Sequence, residues 1–341
     1  MSILVTRDQV QGFVELAYGL RVLGPLVDLP QGVHSQAWLA KTDDGDWVVK
    51  VSDPRSDSPE TLSAHCKLYD FLNSRGLHAP DVRADRSGHQ VSPMVEADAR
   101  YPVTLMRHHQ LHRLEAESVS AEDLRHVASQ IARLHATMEG FVKKDEIVSD
   151  REKSQGEWGR QVTGCYPDLI QSPTAECFTA AERSWFEAID AALVGYLDDH
   201  FPDPASLSQA VLHGDLSFEH VRLLPNREVY FFDFGDMCWG PVAHELAQFL
   251  RGFRDAPISF ERWAHLRRWL LEGYRSQHGF TATDAAAIDV FLLNRVIALA
   301  KYILDLNGDT ASTNGAEAIK SAYRLAEAVL RKHHLVIGRT T

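Results

Sequence analysis

The stretch that decides the fold runs from Val211 to Leu250 and reads VLHGDLSFEHVRLLPNREVYFFDFGDMCWGPVAHELAQFL. It places His213, Asp215, His220, Asp233 and Asp236 on two short turns that a single hairpin joins. Asp215 follows an apolar pair and a His-Gly turn, and Asp233 closes the β-type run Val229-Tyr230-Phe231-Phe232. Two carboxylates at the ends of adjacent strands, with a third one turn later, are expected to form a cation site facing a cleft. Phosphoryl transfer needs such a set: one acid to orient a hydroxyl, another to hold the metal on the phosphates.

Outward from this stretch the chain divides by periodicity. Before it, Arg7 to Tyr18 reads as a short amphipathic helix. Leu20 to Leu29, Ser35 to Lys41 and Asp46 to Val51 then read as strands between turn signals at Pro30-Gln31-Gly32 and Asp43-Asp44-Gly45. A helix from Ser58 to Ser74 is expected, with Ser58 as N-cap, Pro59 at the first helical position and Gly76 beyond its end. Strand-like pieces surround Ala79 to Val82, Val91 to Met94 and Tyr101 to Met106. From Ala121 the period becomes helical, with Leu124, Val127, Ala128, Ile131, Leu134 and His135 on one face. Lys143 to Pro173 reads mainly as loop. Further helices are expected at Ala180–Tyr196, Val242–Phe253, Ser259–Ser276, Asp284–Asn307 and Thr313–His334. The chain is thus α+β, strand-rich at the front and helical behind, with the join near Met106 to Leu114.

The 341 residues suffice for a large core, and 45% hydrophobic with 24% charged residues describe an ordinary globular chain. Lys and Arg number 35 against 47 Asp and Glu, a formal charge of −12, which argues against a dedicated nucleic-acid binder. Four cysteines without a C-x-x-C pair suggest reduced thiols and a cytoplasmic setting. Residues Met1 to Leu20, interrupted by Arg7, Asp8, Gln9 and Gln11, read as neither a signal peptide nor a membrane span.

His213-Gly214-Asp215-Leu216-Ser217-Phe218-Glu219-His220, followed by Asp233-Phe234-Gly235-Asp236, resembles the H-G-D-x-x-x-x-N and D-F/W motifs of the small-molecule kinase superfamily. That superfamily holds the aminoglycoside and macrolide phosphotransferases, the choline kinases and the homoserine kinases. The resemblance implies a bilobal protein-kinase-like fold, with residues 1–107 as a nucleotide-binding lobe and 108–341 as a catalytic and acceptor-binding lobe. His220 stands at the family's Asn position, and H-G-D-x-x-x-x-H-V resembles the macrolide enzymes. The implied activity is transfer of the γ-phosphate of ATP or GTP to a hydroxyl of a small molecule such as an antibiotic, amino alcohol or hydroxy amino acid. No nucleic acid or membrane partner is implied.

The same resemblance distributes roles. Asp215 would orient the acceptor hydroxyl and take its proton late. Asp233 would bridge Mg²⁺ to the β- and γ-phosphates, its carboxylate emerging from a buried strand, with Asp236 supporting the site. An imidazole offers nitrogen, which suits Mn²⁺ better than Mg²⁺, so His220 either ligates a metal or only holds Asp215 by a hydrogen bond. Lys50 lies on a β-run whose neighbours Val49 and Val51 point to the opposite face, and would pair with the phosphates. Glu60 is its expected helix partner. Ser35 and the backbone of Pro30 to Gln36 would cover the phosphates, and Leu105 to Arg107 would be the hinge facing adenine. His213 reads as structural. Asn294, Arg295, Lys301 and Asp305 read as the wet edge of a helix or as lining for an acceptor pocket, and Arg331 to His334 as a solvated helix end. Two competing readings are a two-metal hydrolase built on His213, Asp215, His220 and Asp233, and a non-catalytic nucleotide-binding scaffold.

Overall fold

This computed structural model describes residues 5–30, 35–96, 99–141, 163–252, 260–275, 279–306 and 313–333. Two compact units emerge. One comprises Met1–His112 together with Arg222–Phe232; the other comprises Arg113–Val221 and Asp233–Thr341. The division thus falls five residues beyond the expected 107/108 boundary, and it assigns an internal hairpin to the first unit.

In the first unit, helix α1 (Arg7–Phe13) starts at Thr6, whose hydroxyl accepts from the Gln9 amide while Gln9 reaches back to the Thr6 amide. It runs on into a wider π turn, Val14–Tyr18, that Gly19 ends in the left-handed region. Strands β1 (Val27–Asp28), β2 (Ser35–Thr42), β3 (Gly45–Ser52), β4 (Val82–Arg83), β5 (Ser92–Glu96) and β6 (Ala99–Arg107) form one antiparallel sheet. Its order is β1-β2-β3-β6-β4, with β5 on the other stretch of β6. Trp47, Val49 and Val51 of β3 alternate inward with Trp38 and Ala40 of β2. They pack with Val10 and Val14 into a core in which each is at most 5% exposed. Helix α2 (Pro59–Ser74) begins where its sequence signals put it, on the Ser58 hydroxyl with Pro59 in the first turn.

In the second unit, α3 (Ala121–Met138) starts on Ser120, and α5 (Ala180–His200) on a Thr179–Glu182 capping box. Between them lies α4 (Tyr166–Gln171), inside the segment expected to be loop. Six residues are too few for a periodic signal, and Pro167 is compatible with a first helical turn because no backbone partner is missing there. A short β7 (His112–Arg113) precedes α3, and after α5 the chain forms β8 (Gln209–Leu212), β9 (Val221–Leu223), β10 (Val229–Phe231) and β11 (Cys238–Pro241), followed by α6 (Val242–Arg251), α7 (Phe260–Arg275), α8 (Ala282–Leu306) and α9 (Thr313–Lys332). Every residue of α6 from Val242 to Leu250 is buried. The expected helix ends at Phe253, Ser259, Ser276, Asn307 and His334, like Gln31 to His34, lie outside the described residues.

β8 pairs with β11, whereas β10 pairs with β9. Asp215 and Asp233 therefore do not follow neighbouring strands of one hairpin. The hairpin Arg222–Phe232 belongs to the first unit, where Phe231 donates its amide to the His78 carbonyl at 2.9 Å and His78 Nε2 stands 2.9 Å from Glu228.

The helix end at Arg331 to His333 is not simply solvated. Lys332 and His333 reach Asp289 at 2.6 and 3.2 Å, and Arg267 meets the same carboxylate at 2.8 Å. Asp289 is 2% exposed, so its charge is held in the interior by these partners. All four cysteines are free thiols.

Candidate active site

The loop after β8 is fixed from below by one carboxylate. Glu245, wholly buried on α6, accepts the His213 amide on Oε1 at 2.8 Å and the Gly214 amide on Oε2 at 2.9 Å. His135 of α3 stands at 3.2 Å from Oε1 through Nε2, and the Tyr274 hydroxyl lies 2.7 Å from Nδ1 of that ring. Burial alone would raise the Glu245 carboxyl; the hydrogen bond and charge of His135, with His213 and the Gly214 amide, hold it below the usual carboxylate range. Burial, then the Glu245 charge, pushes the Tyr274 hydroxyl far up, so it stays protonated as a donor.

Gly214 is required at this point for two reasons. Its φ of +87° lies in the region that side chains disfavour, and a Cβ there would fall 1.7 Å from the Asp236 carbonyl oxygen. The loop and the Asp233–Asp236 turn are in direct backbone contact through that missing side chain.

Asp215, with a side chain 33% exposed, is oriented on both oxygens. Gln248 Nε2 donates to Oδ1 at 2.7 Å, and Arg251 Nη2 lies 4.0 Å from the same oxygen. Gln248 is itself aimed by Arg295, whose Nε donates to its Oε1 at 3.0 Å. On the other side His220 Nδ1 is 3.4 Å from Asp215 Oδ2 and 2.7 Å from the Asp215 carbonyl oxygen. A carbonyl only accepts, so Nδ1 carries the proton.

Nε2 of the same ring faces Asp233 Oδ2, 3.7 Å away, and in the neutral tautomer with Nδ1 protonated it presents a lone pair there. Two electron-rich atoms facing each other favour a cation between them, and this pair fits a divalent ion completed by phosphate oxygens and water. Among the described residues no group of three or more His, Cys, Asp or Glu side chains is gathered closely enough to hold a metal ion, so Asp236 does not form such a cluster with His220 and Asp233 in this structure. Asp236 is exposed, and its carbonyl is what meets the loop.

Asp233 departs from the expected buried charge: its side chain is 51% exposed, so desolvation is not what makes it special. Its backbone is. A φ of 67° in a non-glycine residue stores strain of about 1–3 kcal/mol, a feature that clusters at functional positions. His213 is buried at 0% exposure, its ring stacked 5.9 Å from His220 and tilted 4.4 Å from Phe234, which makes it part of the floor. Glu219 pairs with Arg113 on the surface.

The candidates in the first unit are placed as follows. Lys50 lies on β3 between the buried Val49 and Val51, on the face opposite the core. Ser35 opens β2 across from Ser52. Glu60 is exposed in the first turn of α2, its carboxyl held low by its own backbone amide and the Ser58 hydroxyl, the arrangement of a helix start. Leu105 is fully buried, and β6 pairs it with Val49 on one side and Arg83 on the other, so its backbone cannot face a base. Arg107 donates its amide to Asp81 and its guanidinium to the Asp44 carbonyl, lying 4.4 Å over Trp47. The expected hinge is thus the last part of a central strand.

Of the residues read as the wet edge of a helix, Asn294 is 1% exposed and Arg295 is bound to Gln248. Lys301 is at the surface, near Thr163 and Asp168, and the Asp305 side chain lies outside the described residues. Glu245, Gln248, Arg251, His135 and Tyr274 carried no local motif. Their signal in the sequence is polarity within otherwise apolar helical runs.

A strand-rich unit and a helical unit, with an oriented aspartate loop and a strained aspartate turn on either side of a hairpin, define a phosphotransferase of the protein-kinase-like class. The fold is shared with the amicoumacin kinase solved in complex with AMP-PNP, Ca²⁺ and Ami (TM-score 0.66, 14% identity, 97% of this chain and 98% of that one). It is shared equally with a microcompartment-associated aminopropanol kinase (TM-score 0.66, 18% identity, 97% and 99% covered). A homoserine kinase of Sinorhizobium fredii is 25% identical over 344 residues, covering 98% of this chain and 94% of the relative. The chain belongs to the phosphotransferase enzyme family, whose profile matches residues 26–283. It is, on that footing, a small-molecule kinase. Among the described residues no helix is long and apolar enough to cross a membrane.

Proposed function

We propose that the chain transfers the γ-phosphate of ATP to the hydroxyl of a small hydroxy amino acid, homoserine in the first place. The observation that carries this reading is Asp215. Its carboxylate is presented one-third exposed, gripped by Gln248 and flanked by His220, on a loop whose amides Glu245 clamps. The homoserine kinases aligned over nearly the whole chain support the choice of acceptor.

In the reaction a bond forms between the acceptor oxygen and the γ-phosphorus, and the bond from that phosphorus to the bridging oxygen of ADP breaks. The hydroxyl proton passes to Asp215. The residue works by position more than by basicity, which suffices for a loose transition state. His220 and Asp233 would hold Mg²⁺ or Mn²⁺, which neutralises phosphate charge when bound. Lys50 is assigned to the nucleotide phosphates through the motif order. The hydrolase alternative is disfavoured because His213 is buried against Phe234 and His220 Nδ1 is committed to the Asp215 carbonyl.

The test is phosphorylation of homoserine, amino alcohols, aminoglycosides and macrolides, read by mass spectrometry of the product. Homoserine should gain one phosphate with ATP and Mg²⁺, and Asp215→Asn should lower kcat by about 10²–10⁴-fold with nucleotide affinity retained. Transfer at wild-type rate by Asp215→Asn would remove the role assigned to this aspartate. Absence of transfer to homoserine by the wild type would remove the acceptor.

A further inference from the structure

Two buried helices meet beside the aspartate loop. On α6, His244 and Gln248 stand four residues apart on one face, and on α8, Phe291 and Arg295 do the same against it. Such a contact is ordinarily apolar. Here it carries a guanidinium, an amide and an imidazole, and the first two are joined to Asp215 by consecutive hydrogen bonds.

This relay has a fixed direction. Arg295 Nε can only donate, so it takes the Gln248 carbonyl oxygen, at 3.0 Å. The amide nitrogen Nε2 is left on the far side, where it donates to Asp215 Oδ1 at 2.7 Å. Gln248 is 1% exposed, so bulk water does not stand ready to replace either partner. Donor and acceptor thus match at both ends of the amide, which locks one orientation of it and one setting of the aspartate.

The charge of Arg295 is felt in the same contact. His244, 4% exposed and edge-on to Phe291 at 5.7 Å, is kept neutral: burial first, then Arg295, push it down to about 3. A cation that acts across this contact also polarises the Gln248 amide and makes its N–H a stronger donor towards Asp215.

The two oxygens of Asp215 are thereby made unequal. Oδ1 is committed to Gln248. Oδ2 faces His220 Nδ1 at 3.4 Å, but the proton of that nitrogen goes to the Asp215 carbonyl at 2.7 Å. On a side chain one-third exposed, Oδ2 keeps a lone pair for an incoming hydroxyl.

We propose that Arg295 is a positioning residue for phosphoryl transfer, acting through Gln248 to commit Asp215 Oδ1 and to present Oδ2 as the oxygen that takes the acceptor's proton. The proton leaves the acceptor oxygen for Oδ2 as that oxygen bonds to the γ-phosphorus and the bond to the bridging oxygen of ADP breaks. This rests on the phosphotransferase reading above and assigns a task to a residue 47 positions beyond the glutamine that it aims.

A kinetic cycle tests the route, with the acceptor that the wild type phosphorylates best. Arg295→Met and Gln248→Met should each lower kcat by about 10–100-fold while the KM for ATP stays within about twofold. Because both act on one path, the double variant should be no more than about threefold worse than the poorer single one. Arg295→Lys, which keeps a cationic donor, should regain at least about threefold over Arg295→Met. Losses that multiply in the double variant would mean that Arg295 acts on the fold at large, and would overturn the proposal. A lysine variant no better than the methionine one would do the same.

Should the variants not fold, the wild type decides. A crystal structure with AMP-PNP, Mg²⁺ and that acceptor should place the hydroxyl within about 3.2 Å of Oδ2, with the Gln248 bond to Oδ1 intact. A hydroxyl on Oδ1, or a Gln248 amide turned away, overturns the proposal and leaves the kinase standing. Transfer by the wild type to no acceptor at all removes the kinase reading itself, and this one with it.

Discussion

His244 links the interior to acidity. Because its folded-state value lies well below the ordinary histidine value, the unfolded chain binds the extra proton first. The contribution is fully present above about pH 6.5 and drains away as pH falls from there towards about 3. Between pH 7 and pH 5 this one group should remove about 2 kcal/mol of stability. Denaturant unfolding at the two pH values should show that His244→Gln loses less than the wild type by that amount; equal losses would mean that the ring is wet. His220 supplies a second test at this scale. Replacing its nitrogen donor with a hard oxygen, His220→Asn, should raise the ratio of Mg²⁺- to Mn²⁺-supported turnover by about tenfold. An unchanged ratio would reduce His220 to a hydrogen-bonding support of Asp215.

At the scale of elements, α6 is the organiser. Glu245 and Gln248 lie on one side of a helix buried all round; the first fixes the loop's backbone and the second its catalytic side chain. Glu245→Gln would turn a donor towards two amide donors and uncouple His135. It should cost about 3 kcal/mol of stability and lower kcat with little change in nucleotide affinity. Since the depressed Glu245 value favours the folded state only above the unfolded carboxyl value, the wild type should lose this advantage as pH falls below about 4.3, and the variant should have none to lose. Urea unfolding across pH 3 to 7 reads both effects. The same element explains what the sequence displayed and what it hid. Asp215, Asp233 and the Ser58-Pro59 helix start were legible because each is defined by residues within a few positions. Glu245 meets partners 31, 32 and 110 residues away, and Gln248 meets Asp215 across 33, so no local pattern announces them. For Glu60 and Arg107 chain order was the guide, and the structure adds what a local pattern does not carry: the Ser58 hydroxyl stands by the first and the Asp44 carbonyl accepts from the second.

For the whole molecule, the thiols offer a simple check of packing. Cys66, Cys165 and Cys238 are buried, and burial pushes the first two up to about 11 and about 12, while Cys177 is exposed. A thiol-reactive dye should label one cysteine rapidly in the native protein and the other three only on unfolding. Rapid labelling of two or more would contradict the core described for these units.

The hairpin Arg222–Phe232, grouped with the strands near the N-terminus, has a consequence for biosynthesis. After His112 the ribosome must add the 109 residues from Arg113 to Val221 before Arg222 is made, and those residues belong to the other unit. At the usual pace of translation that is a wait of roughly 10 s, during which the nascent N-terminal half lacks its last ribbon. Vectorial folding of this chain therefore cannot finish one half before starting the other.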